Sequence, residues 1–279
     1  MQPPVDRVFH PTDFSKASRV AFEHALAIAL ARKATLTIMN ASKGFRGDDW
    51  SGFPGVSETL KRWGLLDESS ERRDVFAKLS VQVRKIGVDA SDPADVILDF
   101  LADHPRDLVV MATEGREGLP RLLKGSVAEK VTRAAGARFL LVPADCSGFV
   151  SSEDGSLSLN RILVPVAETP DPVAAAEAAT RTARALGNLP VELHALHVGP
   201  RMPDIDFPTG NEWTWHQSTR QGDVIEEILG AARELSADLI VMATDGPDSF
   251  RDLFRGSHIQ RVVRGAPCPV TGVSLPKAS

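Results

Sequence analysis

A glycine-containing segment that could hold an anion occurs twice in the chain, at residues 107–126 and 238–257. Each copy reads as a buried strand, a loop with glycine, and the start of a helix. The copies lie 131 residues apart and share ten of twenty positions without a gap. Backbone N–H groups after a strand or at the start of a helix can point at a phosphate. The segments therefore predict a duplicated domain with an anion cradle in each copy.

Alternating strands and helices surround these segments. In the first half the pattern predicts strands at 7–11, 35–41, 81–88, 107–113 and 137–142, with helices between them, and the series restarts at 161. Uninterrupted apolar strands such as DLVVMA and DLIVMA are typical of a parallel sheet covered on both faces. Strand–helix–strand units also require right-handed crossovers. We expect an α/β fold with two tandem, doubly wound parallel sheets of five strands, each in the order 3-2-1-4-5.

This strand order predicts where a ligand would bind. In doubly wound sheets the site lies where the order reverses, here between the first and fourth strands. The reversal brings the turn at Pro11, Thr12 and Asp13 beside the loop after Ala112.

The two halves differ in length. The offset between matching residues is 154 at the first strands and 131 from Asp92 onward, so the first half carries 23 extra residues. We predict a first domain at 1–144 with an insertion near 44–79, a Ser- and Gly-rich linker at 145–160, and a shorter second domain at 161–279.

Composition narrows the class of protein. The 279 residues carry a formal net charge of −5, which does not favour a nucleic-acid partner. Two cysteines give neither a disulfide framework nor a paired zinc motif. No apolar run is long enough to span a bilayer, and the first residues do not resemble a signal peptide. We expect a cytoplasmic protein with no membrane partner.

The chain resembles the universal stress protein family in its tandem form. The matching segments of the first half are HPTDFS (10–15), DPADVIL (92–98), DLVVMATEGREG (107–118) and LLKGSVAEKV (122–131). Those of the second half are GDVIEEIL (222–229), DLIVMATDG (238–246), FRGS (254–257) and APCPV (266–270). The resemblance implies two domains of the adenine-nucleotide α-hydrolase-like fold. Many members bind ATP through Gly-x2-Gly-x9-Gly-Ser/Thr, and both halves keep this spacing with alanine at the first position.

The resemblance implies ATP, alone or with Mg²⁺, as the cofactor. Adenine and ribose would lie against the turn after the first strand, the end of the second strand and the pocket floor. The phosphates would lie against the glycine loop. The nucleotide-binding residues implied in the first half are Pro11, Thr12, Asp13, Ala41, Met111, Ala112, Gly115, Arg116, Gly125, Ser126 and Val127.

A second, weaker site is implied at Ala243, Gly246, Arg255, Gly256 and Ser257. Alanine replaces glycine in both copies, and Glu114 and Asp245 place negative charge beside the expected phosphates. In the second half Ala167 stands where Asp13 stands in the first, so we expect the second site to be weaker or empty.

Several of these residues also have purely structural explanations. Ser126 and Ser257 each begin a capping box, with Glu129 and Gln260 respectively. Gly115 and Gly246 could serve only to adopt positive φ in a turn, and Asp13 could serve only to cap the first helix. His194 and His197 lie three apart on a strand and face opposite sides, so no metal site is expected.

No catalytic constellation is apparent in the sequence. The Walker A pattern is absent, because Lys124 precedes Gly125 where the lysine should follow the glycine. We expect a stress regulator that binds ATP and is recognised by an unidentified protein partner. It would hydrolyse ATP slowly at most. The alternative is a scaffold or chaperone-like interaction protein whose nucleotide site has lapsed. The halves are expected to pair through their fifth strands as an internal pseudo-dimer, with a homodimer left open.

Overall fold

The computed structural model describes residues 6–46, 49–113, 127–134, 138–169, 171–244 and 258–274. Strands and helices alternate along both halves. The first half contains β1 (Arg7–Pro11), α1 (Lys16–Arg32), β2 (Thr35–Ser42), α2 (Val56–Arg62), α3 (Arg72–Leu79), β3 (Val83–Asp89), α4 (Pro93–Asp103), β4 (Leu108–Ala112), α5 (Val127–Ala134) and β5 (Arg138–Val142). The second contains β6 (Arg161–Pro165), α6 (Pro172–Leu186), β7 (Val191–Val198), β8 (Trp213–Arg220), α7 (Val224–Glu234), β9 (Leu239–Thr244), α8 (His258–Gly265) and β10 (Val270–Ser274).

All ten strands form one sheet, in the order β3-β2-β1-β4-β5-β10-β9-β6-β7-β8. Each half therefore has the predicted order 3-2-1-4-5, and neighbouring strands within each half are parallel. The expected pairing of the fifth strands is present: β5 and β10 are antiparallel, with Leu140 opposite Thr271. The two predicted sheets are thus continuous through this junction.

Helices cover both faces of the sheet, as its apolar strands require. One core contains Val8 and Val110 and is covered by α1, α6 and the insertion. The other contains Phe9 and Val109 and is covered by α4, α5, α7 and α8. Because successive strand residues point to opposite faces of the sheet, neighbouring residues pack in different cores. Both cores include residues of both halves.

Short polar side chains set the helix starts. Asp92 accepts a hydrogen bond from the N–H of Ala94 at 3.0 Å and caps α4, with Pro93 in the first turn as the sequence predicts. Asp223 caps α7 in the same way. In the described residues no helix is long and apolar enough to cross a membrane.

The segment predicted as a linker packs onto the first half. Phe149 is fully buried, and its N–H donates to Nε2 of His24 on α1 at 3.1 Å. Nε1 of Trp63, at the end of α2, donates to the carbonyl of Ser152 at 3.2 Å. Serine and glycine content alone predicts a solvated connection, but buried Phe149 and Leu159 attach this segment to the core.

Candidate functional site

A cavity of about 570 Å³ opens at the carboxyl ends of β1, β2 and β4. This is the place where the strand order reverses, which is where doubly wound sheets bind ligands. Seven residues named from the sequence lie together along its wall: Pro11, Thr12, Asp13, Ala41, Met111, Ala112 and Val127. Gly115, Arg116, Gly125 and Ser126, together with Gly246, Arg255, Gly256 and Ser257 of the second copy, lie outside the described residues.

The cavity also has lining residues that the sequence analysis did not name. These are Phe14, Ser18, Asn40, Ser42, Lys43, Ala90, Ser91, Pro93, Ile97, Thr113 and Ala128. Asn40 carries a usable signal, because it is a polar residue inside the apolar strand TLTIMNA. Lys43 follows the end of that strand and is a cationic residue in the cavity lining.

Hydrogen bonds fix the turn between β1 and α1 against the end of β2. The N–H of Thr12 donates to the carbonyl of Met39, and Nδ2 of Asn40 donates to the carbonyl of Thr12, both at 2.8 Å. The hydroxyl of Ser18 donates to Oγ1 of Thr12 at 2.7 Å. Since these groups are buried, the turn is held in one conformation before any ligand arrives.

Asp13 remains exposed beside this fixed turn. Its carboxylate accepts a hydrogen bond from the N–H of Ser15 at 3.0 Å. Ser15, rather than Asp13, is the N-cap of α1 and accepts from the N–H of Ser18. The purely capping explanation of Asp13 is therefore wrong, and its carboxylate faces solvent at the cavity.

The insertion supplies an aromatic cluster beside the cavity. Phe14, at φ 65°, places its ring 5.5 Å from Trp50 and 5.7 Å from Phe53, measured between ring centroids. The ammonium of Lys85 lies 5.0 Å from the centre of the Trp50 ring. A positive φ is unusual for a bulky residue, and these ring contacts offset its cost. The extra residues of the first half thus shape a wall next to its cleft.

The helices on the other side of the cavity are joined by an ion pair. Lys130 on α5 donates to Oδ2 of Asp92 at 2.8 Å. This hydrogen bond, together with that from Ala94, lowers the pKa of Asp92. The pair fixes the start of α4 beside α5, whose first residue, Val127, lines the cavity. α5 thus reaches the cavity through Val127.

The second half builds the corresponding turn from different residues. The N–H of Val166 donates to the carbonyl of Leu196 at 2.8 Å, as Thr12 does to Met39. The carbonyl of Val166 then accepts from Nδ1 of His197 at 2.9 Å, where Asn40 serves in the first half. An imidazole thus replaces an amide, and Ala167 replaces the carboxylate of Asp13. The two turns are therefore not chemically equivalent.

A neutral histidine lies in β1, the strand that leads into the turn at the cavity. His10 is fully buried, and its Nδ1 donates to the carbonyl of Val110 at 2.9 Å. Burial lowers the pKa of His10 to about 4. Burial likewise lowers the pKa of His24 to about 4, and its unprotonated Nε2 accepts from Phe149. Both imidazoles are neutral in the folded protein near pH 7.

The buried histidines predict that acid destabilises the fold. The unfolded chain binds protons near the ordinary histidine pKa of about 6.5. The folded pKa values are near 4. The contribution of these histidines to the free energy of unfolding is therefore fully present above about pH 6.5 and is lost as the pH decreases toward 4. Each histidine contributes up to about 1.4 kcal/mol per pH unit in this window. Urea denaturation at a series of pH values measures the slope.

The contribution of a single histidine can be isolated. His24→Gln should flatten the slope, because it removes one of the two buried imidazoles with a lowered pKa. A free energy of unfolding that stays constant between pH 7 and 5 would contradict this expectation.

Fold and cleft define a doubly wound α/β protein with a pocket at its switch point. The profile of the universal stress protein family matches residues 4–143 and 209–274. The chain belongs to this family.

Relatives support the duplicated organisation. A universal stress protein of Methanocaldococcus jannaschii is 31% identical over 144 residues, covering 49% of this chain and 81% of the relative. One from Mycobacterium bovis is 23% identical over 241 residues, covering 75% of this chain and 78% of the relative. The crystal structure of a universal stress protein from Archaeoglobus fulgidus matches with a TM-score of 0.61 at 19% identity, covering 97% of this chain and 98% of that one. At 19% identity, the match to the Archaeoglobus structure shows that the two proteins share a fold.

Proposed function

We propose that the protein binds an adenine nucleotide, ATP, in the cleft of its first half and acts in the cytoplasm as a stress regulator. The observation that carries this proposal is the cavity at the ends of β1, β2 and β4, lined by Thr12, Asp13 and Ala112. Its volume of about 570 Å³ lies within the range of small-molecule sites. In this proposal residues 1–144 and 161–279 are the two repeats, and 145–160 connect them.

The lining of the cleft suits the parts of a nucleotide. Ala41, Met111 and Ile97 offer apolar surface to a base. The exposed carboxylate of Asp13 can accept hydrogen bonds from ribose hydroxyl groups. The first turn of α5 and the ammonium of Lys43 offer donors and positive charge to phosphates. Mg²⁺ would accompany the phosphates, as it does in many nucleotide sites.

The site in the first half is expected to bind the nucleotide more tightly than the site in the second half. Only it combines a carboxylate at position 13 with an amide, Asn40, that fixes the turn. In the second half Ala167 cannot accept a hydrogen bond through its side chain, and His197 occupies the position of the amide. We expect binding of one nucleotide per chain at moderate concentrations.

Two measurements on the purified full-length chain test the proposal. The protein is denatured and the released small molecules are assayed for adenine nucleotide. A nucleotide-free preparation is then titrated with ATP by calorimetry, with and without Mg²⁺. We expect either co-purified nucleotide or saturable binding with a stoichiometry near one.

The alternative function predicts a different outcome. If no nucleotide is released and no heat is observed up to millimolar ATP, the cleft has lapsed and the protein is a scaffold or chaperone-like interaction protein. ATP turnover is expected to be slow at most in either case, because no Walker A lysine is present in the sequence.

A further inference from the structure

A cluster of possible metal ligands lies on the second half, away from the proposed nucleotide cleft. Glu192 and His194 are two residues apart on β7, so their side chains share one face of the sheet. His216 on β8 stands directly opposite His194 in the strand register. β8 is the last strand of the sheet, whereas the cleft lies at β1, β2 and β4.

The three side chains are close enough to share one ion. One ligand atom from each lies within 4.8 Å of the others. Oε2 of Glu192 and Nε2 of His194 are 3.4 Å apart. In a tetrahedral zinc site, bonds of about 2.0–2.2 Å place neighbouring ligand atoms roughly 3.3–3.6 Å apart. The carboxylate and the first imidazole are therefore already at the required separation.

The second imidazole must turn about its side-chain bonds to bring its nitrogen to ligand distance. The rings of His194 and His216 are stacked, with centroids 4.8 Å apart and an angle of 17° between their planes. His216 is exposed on the edge strand, so nothing buried has to move with it. Rotation about its side-chain bonds turns its ring nitrogen toward the atoms of the other two ligands.

From this arrangement we propose that Glu192, His194 and His216 form a binding site for a divalent transition-metal ion of the Zn²⁺ type. Two imidazoles with one carboxylate form a donor set that zinc uses, and imidazole does not suit Mg²⁺ or Ca²⁺. The exposed edge leaves room for water as a fourth ligand. Arg161 lies opposite Glu192 on β6 and carries a nearby positive charge that repels the ion. Its guanidinium donates a hydrogen bond to the carbonyl of Leu235 at 2.6 Å.

The sequence alone does not reveal this cluster, because His216 is distant in the chain from Glu192 and His194. His197, the histidine nearest to His194, lies on the opposite face and bonds the carbonyl of Val166. The third ligand is 22 residues after His194 and is brought beside it by the parallel pairing of β7 and β8.

The test uses the untagged full-length chain, stripped of metal by a chelator and free of nucleotide. Zn²⁺ is titrated in competition with a chromophoric chelator. We expect one equivalent to bind, and His216→Ala and Glu192→Gln each to weaken binding about tenfold or more. His258→Ala, which removes an exposed imidazole on α8, should leave the affinity unchanged.

A second readout distinguishes loss of the site from loss of the fold. Zn²⁺ should raise the unfolding temperature of the wild-type chain but not that of His216→Ala, because an ion that binds only the folded state stabilises it. Circular dichroism without metal should be the same for both. Absence of a bound equivalent in the wild-type chain, or equal affinity in wild type and His216→Ala, would overturn the proposal.

Discussion

Ala112→Leu should weaken ATP binding by roughly ten- to a hundredfold, because the larger side chain occupies space that the nucleotide needs. Ala112 is the last residue of β4 and lines the cavity of about 570 Å³. Its methyl group already replaces the glycine of the usual motif. Three further carbon atoms extend from a residue that is paired with Val142 of β5, which restrains the backbone from moving away. Calorimetric titration with ATP measures the change.

The repeat provides a matched control. Ala243 pairs with Val273 as Ala112 pairs with Val142, so it holds the same place in the second half. Ala243→Leu should leave ATP affinity unchanged if the nucleotide binds in the first half. The opposite result, a loss of binding in Ala243→Leu alone, would place the nucleotide in the second cleft. Unchanged binding in both variants would remove the switch-point cavity as the site.

Gly148→Ala should lower the free energy of unfolding by about 3 kcal/mol or more. Gly148 has a φ of +71°, which L-residues rarely adopt, and an added Cβ would overlap Nε2 of His24. That nitrogen accepts the hydrogen bond from Phe149. The imidazole is buried and held at Nδ1 by the carbonyl of Val20, so it cannot move away without losing a second bond. Chemical denaturation measures the loss.

Gly44→Ala separates backbone strain from this overlap. Gly44 has a similar φ of +77°, but an added Cβ would meet nothing within 4 Å. Only the strain of the left-handed conformation remains, about 1–2 kcal/mol. Equal losses in the two variants would show that the overlap with His24 adds no cost to the backbone strain.

Local patterns account for the parts of the structure that the sequence predicted. Apolar strands, helix caps such as Asp92, and the repeat of residues 107–126 are readable over short stretches. The order of the strands then follows from the limited set of doubly wound topologies. For this reason Thr12 and Met111, which are far apart in the chain, could be expected in one cleft, and they line the same cavity.

Other features depend on contacts that no local pattern encodes. The bond from Asn40 to Thr12 forms only after β1 and β2 pair. Phe149 is buried because it packs against His24 on a helix that is distant in the sequence. The serine-rich composition of its segment does not predict this burial. His216 meets His194 only through the register of two strands. These contacts join residues that are distant in the sequence, so the composition of a short segment does not predict them.

The antiparallel junction of β5 and β10 has a geometric consequence for the two halves. It reverses the direction of every strand in the second half relative to the first. The carboxyl ends of β1, β2 and β4 therefore open at one end of the sheet, and those of β6, β7 and β9 at the opposite end. The two ends are joined by the strand pairing of β5 with β10 and by the two cores, each of which contains residues of both halves.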